Sequence, residues 1–477
     1  MATIEKTLDT PVSPVAEEVA QLIARSRKAQ AQIENATQEE VDRWIRGMVY
    51  AVCKPGMDEE LARETVEETQ LGNYEGKFKK ISIKTRAALM DIIDDKSVGV
   101  IEELPERNIV KIAKPVGVIG ALSPSTNPEA TPVIKAICAV KGRNSIIICP
   151  HPRAKFVNAK ICNLMREALE KLGAPADLVI PIEQPSVERT NEVMKQCDRV
   201  LATGGTPMVK AAYSSGTPAL GVGVGNAVIT VDETADLDDA ADKILLSKTL
   251  DFAASCSSDN SVILLDAIYD TMLEKLKAKG GFIIEGENKT KLQNAIWEDG
   301  EHINAKVVAQ SPQFIADYAG FAIPENTAFF IVPETGFGPD YKFSGEKMTV
   351  TMALYRAKDI DEAIALTNNI QAYQGQGHSC GIYSTSDENI MKLAAGTKTS
   401  RVMVNQPQSA SNSGNLWNGM RQTFSLGCGS WGGNATNNNV SWRDLINETW
   451  VSKPLPTPKS LPSDEDLFGK DIIAAVG

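Results

Sequence analysis

The sequence predicts an α/β protein whose parallel sheets are covered by helices on both faces. Two observations support this prediction. From about residue 144, short and continuously apolar strands alternate with helices. The alternation breaks at a loop around Cys256 and then begins again, which indicates two successive α/β units. Ligands of such sheets bind beyond the carboxyl ends of the strands, so the chemistry is expected there.

The first part of the chain has a helical pattern. Residues 15–51 form two predicted helices with a break near 34–38, and the second begins at a capping box made by Thr37 and Glu40. A third helical stretch covers 57–70. The segment 107–125 then changes to β-branched residues and ends in a turn of Pro, Ser and Asn.

The two α/β units and a tail follow. In the first unit, strands are predicted at 144–150, 177–182, 199–205 and 226–232, with helices at 154–173, ending at Gly173, and at 186–197, 206–215 and 236–252. In the second, strands are predicted at 261–266, 326–334, 347–357, 380–384 and 401–405, with helices at 268–280, 359–369 and 388–397. The proline-rich residues 450–469 are predicted to form an extended arm.

Composition limits the classes of function. The 477 residues include 61 Asp+Glu and 49 Lys+Arg, a net charge of -12, which argues against nucleic acid or an anionic membrane as the main partner. The N-terminus has no secretory pattern, and no apolar run is long enough to span a membrane, so a cytoplasmic protein is expected. The eight cysteines form no CxxC pair and the three histidines no cluster, so the thiols are expected to be reduced, without a metal site.

One cysteine lies where an enzyme would place a nucleophile. Cys256 is in the loop between the two units, and clefts between domains commonly hold substrates. A catalytic thiol needs access and stabilisation of its thiolate, which a loop can offer. The alternative is packing, because free cysteine usually behaves as a small buried hydrophobe. Cys428, in the Gly-rich string 424–434, is a rival nucleophile on composition, but Cys256 is favoured by its place at the junction.

Two polar turns follow predicted strands. Asn127, in LSPSTNPEATP, either caps the following helix or points its amide into a cleft, and capping is common for asparagine. Gly204 and Gly205 follow a strand and precede a helix, where a pyrophosphate can approach backbone N–H groups. The full G-x-G-x-x-G pattern is missing, so this turn alone is a weak signal.

Several strings together resemble the CoA-acylating branch of the aldehyde dehydrogenase superfamily: LSPSTNP, PHPRAK, ATGGTPMVKAAYSSGTPALGVGVGN, the Cys256 loop, GEKMTVTMALYRAKDIDEAIALTNN, GHSCGIYS and SLGCGSWGGN. The resemblance spans about residues 15–450. It implies a Rossmann-type cofactor domain over 1–255, with part of an oligomerisation arm near 107–118. It further implies an α/β catalytic domain over 256–430 and a return with the rest of the arm over 431–477.

The same resemblance implies the chemistry. The family branch oxidises an aldehyde to an acyl-CoA with a nicotinamide cofactor. A homodimer or homotetramer is expected. Cys256 falls on the nucleophile and Asn127 on the amide of the oxyanion hole, and Glu346 falls on the carboxylate that holds the nicotinamide ribose. The implied cofactor cleft also includes Ser123, His151, Arg153, Thr203, Gly204 and Gly205.

Two departures from hydrolytic relatives are informative. Their water-activating Glu falls at Val222, and without that base the thioester is expected to wait for CoA, whose thiol ionises more readily than water (pKa about 8.5 against about 16). A hydrolytic enzyme or an inactive structural relative are the alternatives. In PHPRAK, Ala154 replaces the Glu that binds the adenosine ribose, with Arg153 beside it, which favours NADP over NAD unless the turn is only a solvated basic loop.

The aldehyde-facing region of the family falls on residues 405–425. It carries Arg421 and Gln406 among other polar residues, whereas a site for acetaldehyde would need mainly apolar ones. Sulfoacetaldehyde is therefore favoured, because a guanidinium and amides complement a sulfonate. Succinic semialdehyde, acetaldehyde and propionaldehyde remain alternatives. Arg421 could instead pair with a carboxylate of its own chain or bind the phosphates of CoA.

Overall fold

The computed structural model describes residues 13–477, so the prediction that residues 1–12 lack a secretory signal lies outside the described part. Within 13–477 no helix combines the length and apolar composition that a membrane crossing requires. The helices are α1 Pro14–Gln32, α2 Gln38–Cys53, α3 Met57–Thr69, α4 Tyr74–Lys79, α5 Thr85–Ile93, α6 Thr131–Lys141, α7 Lys155–Lys171, α8 Val187–Gln196, α9 Thr206–Tyr213, α10 Leu237–Thr249, α11 Tyr269–Ala278, α12 Gly286–Ile296, α13 Pro312–Ala319, α14 Ile360–Tyr373, α15 Asp387–Gly396, α16 Gln408–Ser411, α17 Asp464–Phe468 and α18 Lys470–Val476.

The strands form three separate sheets. Their bounds are β1 Gly99–Leu104, β2 Ile109–Pro115, β3 Val118–Ser123, β4 Ser145–Pro150, β5 Val179–Pro181, β6 Arg199–Thr203, β7 Ala219–Val222, β8 Ala227–Val231, β9 Asp259–Leu265, β10 Gly281–Ile283, β11 Phe329–Pro333, β12 Thr351–Ala357, β13 Cys380–Tyr383, β14 Val402–Val404 and β15 Ile446–Ser452. The predicted capping box is present at the start of α2, where Thr37 and Glu40 bond reciprocally.

The first sheet is parallel and has the strand order β5-β4-β3-β6-β7. Every residue of β3 and β4 is buried, which is why both strands are apolar apart from one terminal serine each. Helices α1 and α6–α9 pack around this sheet, and α2 packs on α6 and α7. The carboxyl ends of its strands bring Ser123, Pro150 and Thr203 to one edge.

The second sheet is also parallel, with the order β10-β11-β12-β9-β8-β13-β14. Strand β8 is part of it, paired with β9 on one side and β13 on the other. The chain therefore enters the second α/β unit near residue 227, before the boundary of 256 that the resemblance implies. Residues 227–255 supply one of its strands and one covering helix.

A small antiparallel sheet stands apart from the two parallel ones. It has the order β1-β2-β15, and β15 returns from the end of the chain to pair along β2. This ribbon corresponds to the arm implied near 107–118 and after 431. The tail differs from the expected extended arm, because it ends in two short exposed helices, α17 and α18.

Several helices have no counterpart in the sequence-based prediction, among them α12, α13 and the segment that follows α3. Residues 74–93 form α4, a π-helical turn at Lys80–Lys84 and α5. The segment packs against the turn 250–253 that precedes the Cys256 loop. A π-turn inside an α-helix often marks a functional site.

Candidate active site

Cys256 lies in the loop between α10 and β9. It is half-buried, whereas the other seven cysteines of the chain are buried. The loop is shaped by the turn before it, where Asp251, Phe252 and Ala253 all have positive φ angles, near +50° to +64°. Three successive non-glycine residues in this region require the surrounding structure to hold them. Its partial exposure favours the nucleophile interpretation over the packing alternative, which is typical of fully buried cysteines.

The surroundings of Cys256 keep its thiol protonated. Burial, together with the nearby Glu346 carboxyl group, raises the pKa of the Cys256 thiol to about 12. Burial also raises the pKa of Glu346 to about 8, although Gly225 N–H donates to its Oε1 at 3.2 Å. The predicted Glu346 thus lies beside the predicted nucleophile. A nucleophilic thiolate requires that the Cys256 proton leave during the reaction.

Cys428 is a poorer candidate for the nucleophile. It is almost fully buried, its Sγ lies 3.6 Å from Leu426 O, and burial raises its pKa to about 11. It lines a large cavity of about 590 Å³, together with Tyr213, Gly223, Val224, Tyr373, Gln374 and Trp431.

The glycine-rich string after β7 packs against the nucleophile loop. A Cβ atom on Gly225 would overlap the backbone carbonyl of Cys256. This close approach explains why a glycine stands there. Val222 is the last residue of β7 and comes immediately before this string. Its aliphatic side chain is buried.

A cavity of about 400 Å³ opens beside the loop. Asn127 lines it together with Ala254 and Ser255, which immediately precede Cys256. The rest of the wall mixes apolar side chains with lysines and small polar groups: Lys79, Lys80, Ile83, Lys84, Ala87, Leu246, Leu250, Ser409, Ala410, Ser413, Asn415, Leu416, Trp417, Gln422 and Phe424. Asn127 and the two residues that precede Cys256 therefore line the same cavity.

Asn127 does not act as a helix cap. Helix α6 begins at Thr131, its N-cap position is Ala130, and no side chain caps it. The Asn127 Nδ2 atom donates to Thr126 Oγ1 at 3.2 Å, and its buried Oδ1 has no partner within residues 13–477. An amide with one unpartnered end in a cavity wall is available to a ligand.

The predicted cofactor residues are brought together in part. Ser123, His151, Thr203, Gly204 and Gly205 line a cleft of about 150 Å³ at the carboxyl edge of the first sheet, before the N-terminus of α9. The buried Ser123 hydroxyl has no partner among the residues described, so the cleft offers it to a ligand. These features fit the predicted dinucleotide turn. The Arg153 side chain is not part of this wall and donates to Ala305 O at 3.4 Å.

The predicted substrate residues do not reach the cavity. Arg421 forms an ion pair with Asp95 at 3.0 Å and donates to Asp91 O, which is the intrachain pairing considered as its alternative. Gln406 accepts a hydrogen bond from Asn418 at 2.9 Å. Gln422, which follows Arg421 directly, and Asn415 line the cavity instead. Arg421 and Gln422 thus point in different directions although they are adjacent in the chain, which sequence alone did not resolve.

Sequence reasoning also missed His378, although it quoted the string GHSCGIYS that contains it. The imidazole is fully buried, its Nδ1 lies 2.8 Å from Ser379 Oγ, and its Nε2 has no partner within 13–477. Burial lowers its pKa to about 3, helped by the Arg401 charge. The ring is therefore neutral.

Comparisons with known proteins agree with this geometry. Residues 4–291 match the model of the aldehyde dehydrogenase family. A sulfoacetaldehyde dehydrogenase of an Acholeplasma species is 45% identical, over 94% of this chain and 93% of that protein. An acylating sulfoacetaldehyde dehydrogenase of Bilophila wadsworthia is 42% identical, over 94% of this chain and 98% of that protein. The crystal structure of an acetylating aldehyde dehydrogenase from Geobacillus thermoglucosidasius is similar with a TM-score of 0.89 at 36% identity, covering 94% of this chain and 98% of that one.

Proposed function

The chain belongs to the aldehyde dehydrogenase family, and from this premise we propose that it oxidises sulfoacetaldehyde to sulfoacetyl-CoA with NADP. The observation that carries the proposal is the position of Cys256. It is the half-buried cysteine, and its loop borders the cavity that Asn127 also lines. NAD is the alternative cofactor, and succinic semialdehyde, acetaldehyde and propionaldehyde are the alternative substrates.

Cys256 is proposed to act as the nucleophile. Its thiolate adds to the aldehyde carbonyl carbon, and the carbonyl oxygen becomes an oxyanion. The Asn127 amide and the Cys256 backbone N–H donate to that oxyanion, and each such donor is worth about 3–4 kcal/mol. For this the Asn127 amide turns over, so that Thr126 Oγ1 donates to Oδ1 and the Nδ2 group is free.

The nicotinamide cofactor, when bound, supplies the hydride acceptor. Oxidation leaves the acyl group as a thioester on Cys256. The thiolate of CoA then attacks the thioester carbonyl, acyl-CoA leaves, and the Cys256 thiolate is restored. Val222 supports this order of events, because an aliphatic side chain stands where a hydrolytic relative has its water-activating carboxylate. The names of the acylating relatives support it as well.

The choice of aldehyde rests on the relatives and on the charge of the cavity. Two similar proteins are named for sulfoacetaldehyde. Arg421 is engaged by Asp95, so the cation proposed to face the sulfonate is Lys84, which lines the cavity. The choice of NADP rests on His151 and Arg153. His151 lines the cofactor cleft, and Arg153 lies two residues away. Within 13–477 the Arg153 guanidinium makes a single hydrogen bond, to Ala305 O, and that bond is long, at 3.4 Å.

A steady-state panel tests the proposal. Wild-type enzyme with sulfoacetaldehyde, CoA and NADP is expected to reduce the cofactor, with little turnover when CoA is omitted. Cys256→Ala is expected to abolish turnover while keeping the fold and cofactor binding, because no other group can form the covalent thioester. The matched control is Cys428→Ala, which is expected to remain active.

Three results of this panel would contradict the proposal. Full turnover without CoA would indicate hydrolysis. Activity of Cys256→Ala would make Cys428 the candidate nucleophile. Preference for acetaldehyde or propionaldehyde over every anionic aldehyde would overturn the substrate. The same panel with NAD in place of NADP decides the cofactor.

A further inference from the structure

Four buried ionisable side chains lie beneath the active-site loops. Lys77, Asp251 and Glu129 have fully buried side chains, and that of Lys80 is nearly so. The Lys77 ammonium is 2.8 Å from Asp251 Oδ2, and Lys80 contacts the same carboxylate. The Glu129 carboxylate is 4.0 Å from Lys77 and has no hydrogen-bond partner within 13–477. Burying ionised side chains is costly in free energy unless they are paired. The presence of this cluster therefore calls for a functional explanation.

The cluster joins the two loops that carry the predicted catalytic groups. Lys77 Nζ donates to Thr126 O at 2.6 Å, and Thr126 immediately precedes Asn127. The same Nζ binds Asp251, which opens the left-handed turn leading to Cys256. A single ammonium group therefore fixes the Asn127 loop relative to the Cys256 loop.

Asp251 is itself firmly held. Its Oδ1 accepts from Asn73 N–H at 2.8 Å. A Cβ atom on Gly72 or Gly76 would overlap Asp251, so both positions leave room only for its side chain. Its carbonyl accepts from Ala254 N–H at 3.1 Å, which closes the turn just before the nucleophile. The anchor point for Lys77 is thus rigid on the Cys256 side.

We propose that Lys77 is a positioning residue, which sets the Asn127 amide relative to Cys256 and so completes the oxyanion site. The inference rests on the proposed function, because it assumes that Asn127 stabilises the oxyanion. Lys77 touches no substrate and acts through the backbone of Thr126. The interaction with Asp251 raises the pKa of Lys77 despite its burial, so the ammonium stays charged at neutral pH.

Lys80 provides a matched control within the same cluster. It also bonds Asp251, but its other acceptor is Ala254 O at 3.3 Å, on the Cys256 side. No hydrogen bond joins Lys80 to residues 125–128 in the described chain. Removing either lysine deprives Asp251 of one partner, whereas only removal of Lys77 releases the Asn127 loop.

The experiment is a double-mutant cycle. The variants Lys77→Met and Asn127→Ala are made singly and together, and kcat is measured for CoA-dependent aldehyde oxidation. A catalytic group displaced by about 1 Å can cost about 10²-fold, so Lys77→Met is expected to lower kcat by about that factor. The KM for the cofactor is expected to change little. In the Asn127→Ala background, Lys77→Met is expected to cost little more, because the amide it positions is gone.

The control variant separates positioning from stability. Lys80→Met is expected to combine multiplicatively with Asn127→Ala, whatever its own loss of kcat and Tm, because no hydrogen bond joins Lys80 to the Asn127 loop. Should Lys77→Met fail to fold, Asp251→Asn replaces it in the cycle, because it keeps the shape while weakening the anchor. It is expected to show the same non-additivity with Asn127→Ala.

Multiplicative losses of kcat for Lys77→Met with Asn127→Ala, or the same non-additivity for Lys80→Met with Asn127→Ala, would overturn the inference. Such results leave the proposed function standing as long as wild-type turnover requires CoA and Cys256→Ala is inactive. An unchanged kcat in Asn127→Ala would overturn both the oxyanion assignment and the role of Lys77.

Discussion

Lys84 differs from the other two lysines in the wall of the cavity in its lack of a carboxylate partner among residues 13–477. The other lining lysines, Lys79 and Lys80, pair with Glu75 and Asp251. Lys84 has no carboxylate within ion-pair distance among residues 13–477. Its Nζ donates to three neutral oxygens, those of Ser413, Gly414 and Gln422. Burial lowers its pKa to about 7. An anionic ligand in the cavity would supply the missing countercharge and hold the ammonium protonated.

Replacement of Lys84 should therefore depend on the charge of the aldehyde. Lys84→Met is expected to lower kcat/KM for sulfoacetaldehyde by about 10- to 10²-fold, since a hydrogen bond to a charged group is worth about 1.5–3 kcal/mol. The kcat/KM for acetaldehyde should stay the same or rise. The ratio of the two values is the measurement, because a loss of stability affects both substrates alike.

Arg421→Met is the matched control for this comparison. It removes the ion pair with Asp95, which Trp442 Nε1 also contacts at 2.7 Å. It is expected to affect both aldehydes equally. A selective loss of sulfoacetaldehyde activity in Arg421→Met, with none in Lys84→Met, would indicate that the Arg421 guanidinium, and not Lys84, binds the substrate.

These side chains show how far residue-level reasoning from sequence can go. Cys256 could be singled out because its loop position and its small neighbours are local features. The orientation of Arg421 depends on Asp95, which lies more than 300 positions away in the chain, and no local pattern records such a pair. Lys84 was missed because lysines in a helix are usually a solvated face.

The helical segment 74–93 shows the same limit for a whole element. Its lysines at 77, 80 and 84 interrupt any apolar stripe, so hydrophobic periodicity did not predict a helix packed against the active site. These lysines are accommodated against the protein by buried partners. Asp251 pairs with Lys77 and Lys80, and carbonyl oxygens accept hydrogen bonds from Lys84. Most strands of the two parallel sheets were predicted, because continuous apolar runs reflect burial on both faces. The short strands β7 and β10, of four and three residues, were missed.

The turn between β7 and β8 is the element that most directly supports the nucleophile loop. Gly225 packs on the Cys256 carbonyl and donates its N–H to Glu346. Gly225→Ala is expected to displace the Cys256 backbone and lower kcat by about 10²-fold, by the same argument from misplacement. The measurement is kcat together with the rate of Cys256 alkylation.

Gly223→Ala serves as the control, because a Cβ atom there meets nothing within 4 Å. It is expected to retain far more activity than Gly225→Ala. Equal activity of the two variants would mean that the turn moves freely and does not position Cys256.

The whole molecule joins two parallel sheets through loops that meet at the active site. The change of sheet near residue 227 places β8 next to β9, so that the glycine turn and the Cys256 loop emerge side by side. The alternation of strands and helices in the sequence placed this change at the Cys256 loop, because β8 has the pattern of one more strand of the first unit. Strand order depends on pairing between distant segments, which an apolar pattern does not encode.

The antiparallel ribbon leaves both of its outer strands without neighbours in the described chain. In β15 only Ile446 is buried, and Trp450 is 51% exposed with Val451 beside it. An exposed edge strand with apolar side chains is a template for pairing with another chain. We therefore expect this ribbon to join subunits of a homodimer or homotetramer.

A charge on this edge should weaken the assembly. Trp450→Glu is expected to shift the mass in solution toward that of a monomer of 51.4 kDa, because an unpaired carboxylate would have to be buried between subunits. Size-exclusion chromatography with light scattering measures the mass. Leu461→Glu is the control, since Leu461 is 90% exposed and lies outside the ribbon, and it should keep the wild-type mass. A monomeric wild-type enzyme, or a Trp450→Glu variant with unchanged mass, would show that the ribbon does not join subunits.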